Sequence, residues 1–396
     1  MKKLFLSAFA VAVGFAFANA QVDLVNKVNG NAADTQNFRF VNLIDLSTTP
    51  VENQGASGTC WSYSTNSFLE SEMLKKGKKP VHLSKIYTAR CEYTDKANRF
   101  VLLQGGLSWG DGGEAHDVIN LSAKYGIMPE DAYTGLINGN TINHFDPMQA
   151  ELKAILDSVV KVPAPINPAA WRAQFQQVLD KYLGVVPKTF VYEGKTYTSQ
   201  TFAKDVVGFN PNDYEEFISQ TSAPYYQKAL MEIPDDWAFQ WNYNIKLTDI
   251  ISIIDNALKN GYTVAWAADV SEPYFSWLNG VAFVPKNAQE LEGKKLTQEE
   301  KNALFNGDRT EMQITPEIRQ DAIENLTTTD DHGMHIVGLA KDQDGKEFYI
   351  VKNSWGETNG YKGFLYVSKA YVLYKTTGIL VNKNAIPKEL RKKMNI

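Results

Sequence analysis

The sequence predicts an α+β fold, with helices gathered early in the chain and strands late. Three observations predict it. Helix-period runs from Cys60 to Gly77 and from Ala115 to Tyr125 mark the early chain, whereas HIVGLA, EFYIVKNSW, GFLYVS and TGILVN read as strands in the last third. Between them lies a long stretch of different character, and two lobes built this way leave a cleft.

Residues 1–20, MKKLFLSAFAVAVGFAFANA, carry Lys2 and Lys3, an apolar run from Leu4 to Phe17 and a small-x-small end. That is the pattern of a secretory signal peptide cut before Gln21, and the run is short for a membrane span. Export to a bacterial periplasm or beyond the cell is expected, with no membrane span left after cleavage.

Residues 21–133 form the next unit. Its first part, to residue 52, reads as an extended arm with few helical signals. From Cys60, residues Trp61, Tyr63, Phe68, Leu69, Met73 and Leu74 fit a helix ending near Gly77, and Gly126 closes the second helix. Residues 134–245 read as a mostly helical insertion. Helices at Met148–Val160 and Ala169–Leu183 flank VPAPINP, and TFVYEGKTYT turns at Glu193-Gly194 as a hairpin. Residues 246–396 open with a helix from Thr248 to Asn260, enter the strand TVAWAADV, and continue into the β-rich lobe and a tail.

The formal net charge is -5, and the lysines are scattered apart from KELRKKM near the end. That argues against a phosphate-binding surface and so against nucleic acid as a partner.

Exported proteins that rely on disulfides usually carry several, and this chain has only Cys60 and Cys91. Cys60 is half of a lone bridge, as in a stapled binding protein, or a thiol kept for reactivity. Its position, between a Gly/Ser loop and a helix start, favours the second, because unpaired N–H groups and the positive dipole end stabilise a thiolate. A nucleophilic cysteine needs a base and an orienting group. Of five histidines, His332 and His335 fall in TTDDHGMHIVGLA, just before KNSWG. Asn353 can fix an imidazole tautomer without adding charge, and Trp355 can shield that bond from water. Thiol, imidazole and amide suffice for this chemistry, so no metal or cofactor is expected.

NQGASGTCW resembles the active-site segment of papain-like cysteine peptidases, and KNSWG resembles their asparagine segment. DGG, Asp111 to Gly113, resembles the diglycine that pairs with the substrate backbone. PKTFVYEGKTYTSQTF, ALKNGYTVAWAADV, DGGEAHDVINLSAKYGIMPE and TTDDHGMHIVG are similar to the bleomycin hydrolase, or bacterial aminopeptidase C, branch. The resemblance implies a papain-like two-lobed fold and a peptidase acting on peptide substrates, an aminopeptidase by branch, with papain-like endopeptidase activity as the alternative. It implies Cys60, His332 and Asn353 as catalytic residues, Gln54 in the oxyanion hole, Gly112 and Gly113 as substrate-binding, and Trp355 as support. His332 rather than His335 fits the family register, because Gly333 follows it and Val337-Gly338 lies beyond. Residues three apart on a strand face opposite sides, so only one can face Cys60. The branch further implies a homo-hexamer, and a C-terminal arm whose carboxylate meets the substrate's free amine in the cleft. Two features depart from the pattern: Ser57 stands where the family has a bridging cysteine, and the tail after Pro387 is short and basic.

Overall fold

The computed structural model describes residues 20–396, so the signal peptide expected over residues 1–20 lies outside the described residues apart from Ala20. The helices are α1 (Ala20–Gly30), α2 (Cys60–Lys75), α3 (Lys85–Leu102), α4 (Ala115–Tyr125), α5 (Asp146–Lys161), α6 (Pro168–Leu183), α7 (Ser199–Phe202), α8 (Leu247–Lys259), α9 (Ala288–Leu291), α10 (Gln298–Asn306), α11 (Pro316–Glu324), α12 (Lys369–Lys375) and α13 (Lys388–Met394). The strands are β1 (Phe40–Asp45), β2 (Phe190–Tyr192), β3 (Lys195–Tyr197), β4 (Tyr214–Ile218), β5 (Gln227–Leu230), β6 (Trp241–Asn244), β7 (Val264–Ala268), β8 (Phe275–Ser276), β9 (Val281–Ala282), β10 (His332–Asp342), β11 (Glu347–Lys352), β12 (Phe364–Ser368) and β13 (Thr376–Asn382). β2 and β3 form the expected hairpin, with Glu193 and Gly194 both at positive φ as the turn requires.

The remaining strands build one mixed sheet in the order β5-β6-β4-β13-β7-β10-β11-β12-β9-β8, with β1 also pairing to β10. Two-residue alternation decides which side each residue serves. On β7 and β13, Ala265 and Leu380 join the core formed with α2 to α6, whereas Trp266, Ile379 and Val381 join the core formed with α8, α12 and α13. The sheet is thus covered on both sides, and the fold is α+β.

α2 is buried from Cys60 through Met73 although more than half of that run is polar. Buried polar groups need partners, and those of α2 find them at distant points of the chain. Glu70 bonds the Lys85 ammonium (2.7 Å), Glu72 accepts from Asn382 (2.6 Å), and Ser67 meets His335 Nδ1 (3.1 Å). The helix is therefore pinned at the junction of the two cores.

Three segments differ from the sequence expectation. Residues 21–52 are not simply extended: α1 packs beside β8 and buries Val28 in the core, and β1 pairs with β10. The apolar stripe of α1 is too short to register in the sequence, and the partner strand of β1 lies some three hundred residues away. Second, β4, β5 and β6, drawn from the end of the 134–245 stretch, extend the large sheet beside β13. Third, the tail does not enter the cleft. Leu390 and Met394 of α13 are buried with Ile250, Ile253 and Ile254 of α8, and Ile396 packs on the same cluster. Tyr243 donates to the Met394 carbonyl (3.3 Å), and Lys393 donates to the Tyr226 hydroxyl (3.2 Å). Leu390 and Met394 stand four apart and share one helix face, which drives that docking and leaves the basic residues outward. Among the described residues, no helix is long and apolar enough to cross a membrane.

Candidate active site

Cys60 is the first residue of α2, preceded by a loop fixed from outside. Asp111 holds that loop: its Oδ2 accepts from the Gly58 amide (2.8 Å) and its carbonyl from Trp61 Nε1 (2.8 Å). Tyr93 in turn donates to Asp111 Oδ1 (3.0 Å). The DGG segment stands out in the sequence for its glycines; the structure adds the Asp111 carboxyl as the anchor of the cysteine loop.

His332 opens β10 and Asn353 follows β11, its neighbour in the sheet. Their tautomer can be worked out from one backbone amide. The Ser354 N–H can only donate, and it faces Asn353 Oδ1 at 2.7 Å. The same oxygen lies 2.7 Å from His332 Nε2, so Nε2 must carry the proton. Nδ1 is then the basic nitrogen, and it has no partner among the described residues. Trp355 stacks on the imidazole (4.4 Å between centroids, 27° between planes) and is braced edge-on by Trp277. That cover was expected of Trp355, and the geometry supplies it.

Cys60 and His332 line one cavity, together with Gly113, Glu114, Asp235 and Asp330. His335 lines a different one, with Lys352, Tyr63 and Ser67. Gly333 faces α2 so closely that a Cβ would stand 2.9 Å from Ser64 Oγ and 3.0 Å from Trp61 Cα. The glycine after His332 thus lets β10 approach the start of α2.

Gln54 is fully buried. Its Nε2 donates to the Ser57 carbonyl (2.7 Å), its Oε1 accepts from Ser354 Oγ (2.6 Å), and its amide donates to the Ser354 carbonyl (2.9 Å). Ser57, in the place of the family's cysteine, donates to the Gln54 carbonyl (2.8 Å). Hydrogen bonds therefore tie this loop where the family uses a bridge. Gly113 lines the cavity, while Gly112 lies beneath the Asp235 carboxylate and gives its carbonyl to Lys96 (2.5 Å).

Cys60 and Cys91 are both free thiols. Burial pushes Cys60 up to about 12; the Gly333 and Trp61 amides oppose the shift, and the charges of Asp235 and Asp330 add to it. Burial brings His332 down to about 4 against the Asn353 hydrogen bond. Burial thus disfavours both charged forms, the Cys60 thiolate and the His332 imidazolium.

Glu52, Glu70 and His82 are the acid–imidazole group that could hold a metal among the described residues. Lys85 already bridges the two carboxylates there.

Residues 41–217 match the profile described as papain family cysteine protease, and residues 298–396 match that of the peptidase C1-like family. The first stretch holds Gln54 and Cys60, and the second holds His332 and Asn353. The chain is similar to aminopeptidase C of Lactobacillus delbrueckii subsp. lactis (24% identity, covering 96% of this chain and 90% of that one). It is also similar to aminopeptidase C of Streptococcus thermophilus (23%, covering 98% and 93%). In fold it matches the crystal structure of PepW from Lactobacillus rhamnosis, with a TM-score of 0.68 at 22% identity over 96% of this chain and 89% of that one. Papain-type profiles thus match both stretches that carry the site residues, and the chain is similar to papain-like cysteine peptidases along nearly its whole length.

Proposed function

We propose that the chain is an exported aminopeptidase that hydrolyses peptide bonds through Cys60, His332 and Asn353. The observation that carries this is the fixed tautomer: a basic Nδ1 of His332, held by Asn353 and roofed by Trp355, facing the cavity of Cys60. As the sulfur attacks the acyl carbon, Nδ1 takes the thiol proton. The Cys60 amide and the second N–H of Gln54 Nε2 stabilise the oxyanion, a contribution of about 3 kcal/mol per donor. His332 passes the proton to the departing amine, leaving a thioester. Water then gives a proton to Nδ1 and its oxygen to the acyl carbon, and the thiol is restored.

Similarity to aminopeptidase C supports the exopeptidase reading, the leader pattern of residues 1–20 supports export, and the branch supports a homo-hexamer. The test is a panel of fluorogenic peptides in free-amine and N-acetylated forms, assayed with the wild type and Cys60→Ala. The wild type is expected to cleave free-amine peptides faster than their acetylated forms, and Cys60→Ala to cleave neither. Equal rates on the two forms would leave an endopeptidase, and activity in Cys60→Ala would end the proposal.

A further inference from the structure

An enzyme that selects free N-termini needs a negative group beside its nucleophile, and here the chain's own C-terminus is not that group, since α13 is docked against α8. The cavity shared with Cys60 and His332 contains an alternative. Glu114, Asp235 and Asp330 come from the start of α4, the segment before β6 and the segment before β10, and all three line it. Glu114 is 4% exposed, and its Oε1 has no hydrogen-bond donor among the described residues; the same holds for Asp330 Oδ2. The Glu114 and Asp330 carboxyls thus face one cavity, and the negative charge of Asp330 adds to the burial that favours the protonated form of Glu114. Two facing carboxyls need one positive charge between them, a shared proton or a cation.

No side chain nearby supplies it. Lys96 is spent on the carbonyls of Gly110 and Gly112 and on Glu92, and His116 is paired with Glu216. Asp331, beside Asp330, is already satisfied by the Val270 and Ser271 amides and by Thr329. The cavity leaves about 20 Å³ free, room for a guest of about the size of one water. An –NH3+ group is that size.

Resting on the aminopeptidase reading, we infer that Glu114, Asp235 and Asp330 form the specificity site that receives the α-ammonium of the substrate's N-terminal residue. The ammonium enters between Glu114 and Asp330 and displaces their shared proton to solvent. The α-nitrogen of an N-terminal residue lies two bonds from the acyl carbon, and one cavity is lined by both the nucleophile and the carboxyls. Occupation also cancels the negative charge of Asp235 and Asp330 that disfavours the Cys60 thiolate, so binding of a free amine and activation of sulfur are coupled.

The test measures kcat/KM on one fluorogenic peptide, free and N-acetylated, in the wild type, Glu114→Gln and Asp330→Asn. The free-to-acetylated ratio is expected to fall at least tenfold in each variant; a ratio within twofold of wild type in both overturns the inference. A second pair of acetylated substrates carries lysine or norleucine one residue before the cleaved one. Loss in the variants of a lysine preference, with the free-amine ratio kept, would make this a side-chain pocket and overturn the inference as well. Binding is read separately by calorimetry of a free-amine peptide with Cys60→Ala in two buffers of different ionisation enthalpy. Release of about one proton per peptide, lost on adding Glu114→Gln, supports the ammonium site even if hydrolysis fails to appear. Binding without proton release, or equal binding of the acetylated peptide, counts against it.

Discussion

At the scale of single residues, function is divided between two strand neighbours that the sequence sets three positions apart. His332 shares the cavity of Cys60, while His335 is buried against Ser67 and Phe68 inside the lobe junction. His332→Ala is therefore expected to lower kcat by several orders of magnitude with the melting temperature nearly kept. His335→Ala is expected to do the reverse, costing about 2 kcal/mol of stability while a substantial fraction of turnover survives. Steady-state kinetics and thermal melts of the two variants check this, and the opposite pattern would exchange their roles. Cys60, the histidine pair and Asn353 stand out in the sequence because a reactive thiol needs a base and an orienting group, whereas Gln54 and the choice of His332 over His335 come from the family resemblance. The carboxyls of Glu114, Asp235 and Asp330 do not stand out. Each alone looks like a solvated surface acid, and only the fold brings the three segments together.

At the scale of elements, the helices with a clear apolar stripe (α4, α5, α6 and α8) stand within two residues of where periodicity put them. β1 and α13 could not be placed that way, because what fixes them is a distant partner rather than a local pattern. α13 carries the sharper consequence. Deleting residues 388–396 removes the buried Leu390 and Met394, and Leu390→Ala alone is expected to cost about 2–5 kcal/mol. Neither change should raise cleavage of N-acetylated peptides relative to free ones, since the helix lies against α8. Release of strong endopeptidase activity by the deletion would instead put the tail in the cleft.

At the scale of the whole molecule, the unusual feature is the number of buried carboxyls beside the two cores. Burial first, and neighbouring carboxylates second, push Asp269 up to about 7. Burial likewise raises Glu272 to about 7, with Lys375 opposing. Burial raises Glu114 and Asp330 well above the carboxylate range, with neighbouring acids adding to it, and His116 is held protonated by Glu216 and Asp117 despite its burial. Each of these groups binds its proton more tightly folded than unfolded. Their contribution is therefore present at lower pH and lost as pH rises through the folded values. His332 and His335 are shifted the other way, but above about 6.5 they are neutral in both states and add no slope. The melting temperature is accordingly expected to fall between pH 6.5 and pH 8, as read by calorimetry; a flat or rising profile over that window would contradict these shifts. The central claim, that Cys60 is the nucleophile and His332 its base, is tested most directly by iodoacetamide titration with the adduct mapped by peptide mass spectrometry. Loss of hydrolysis should track modification of Cys60 one for one while Cys91, buried in the helical core, stays unmodified, and His332→Ala should slow the Cys60 reaction. Hydrolysis that persists with Cys60 fully modified, or that disappears with Cys91 instead, would contradict the account.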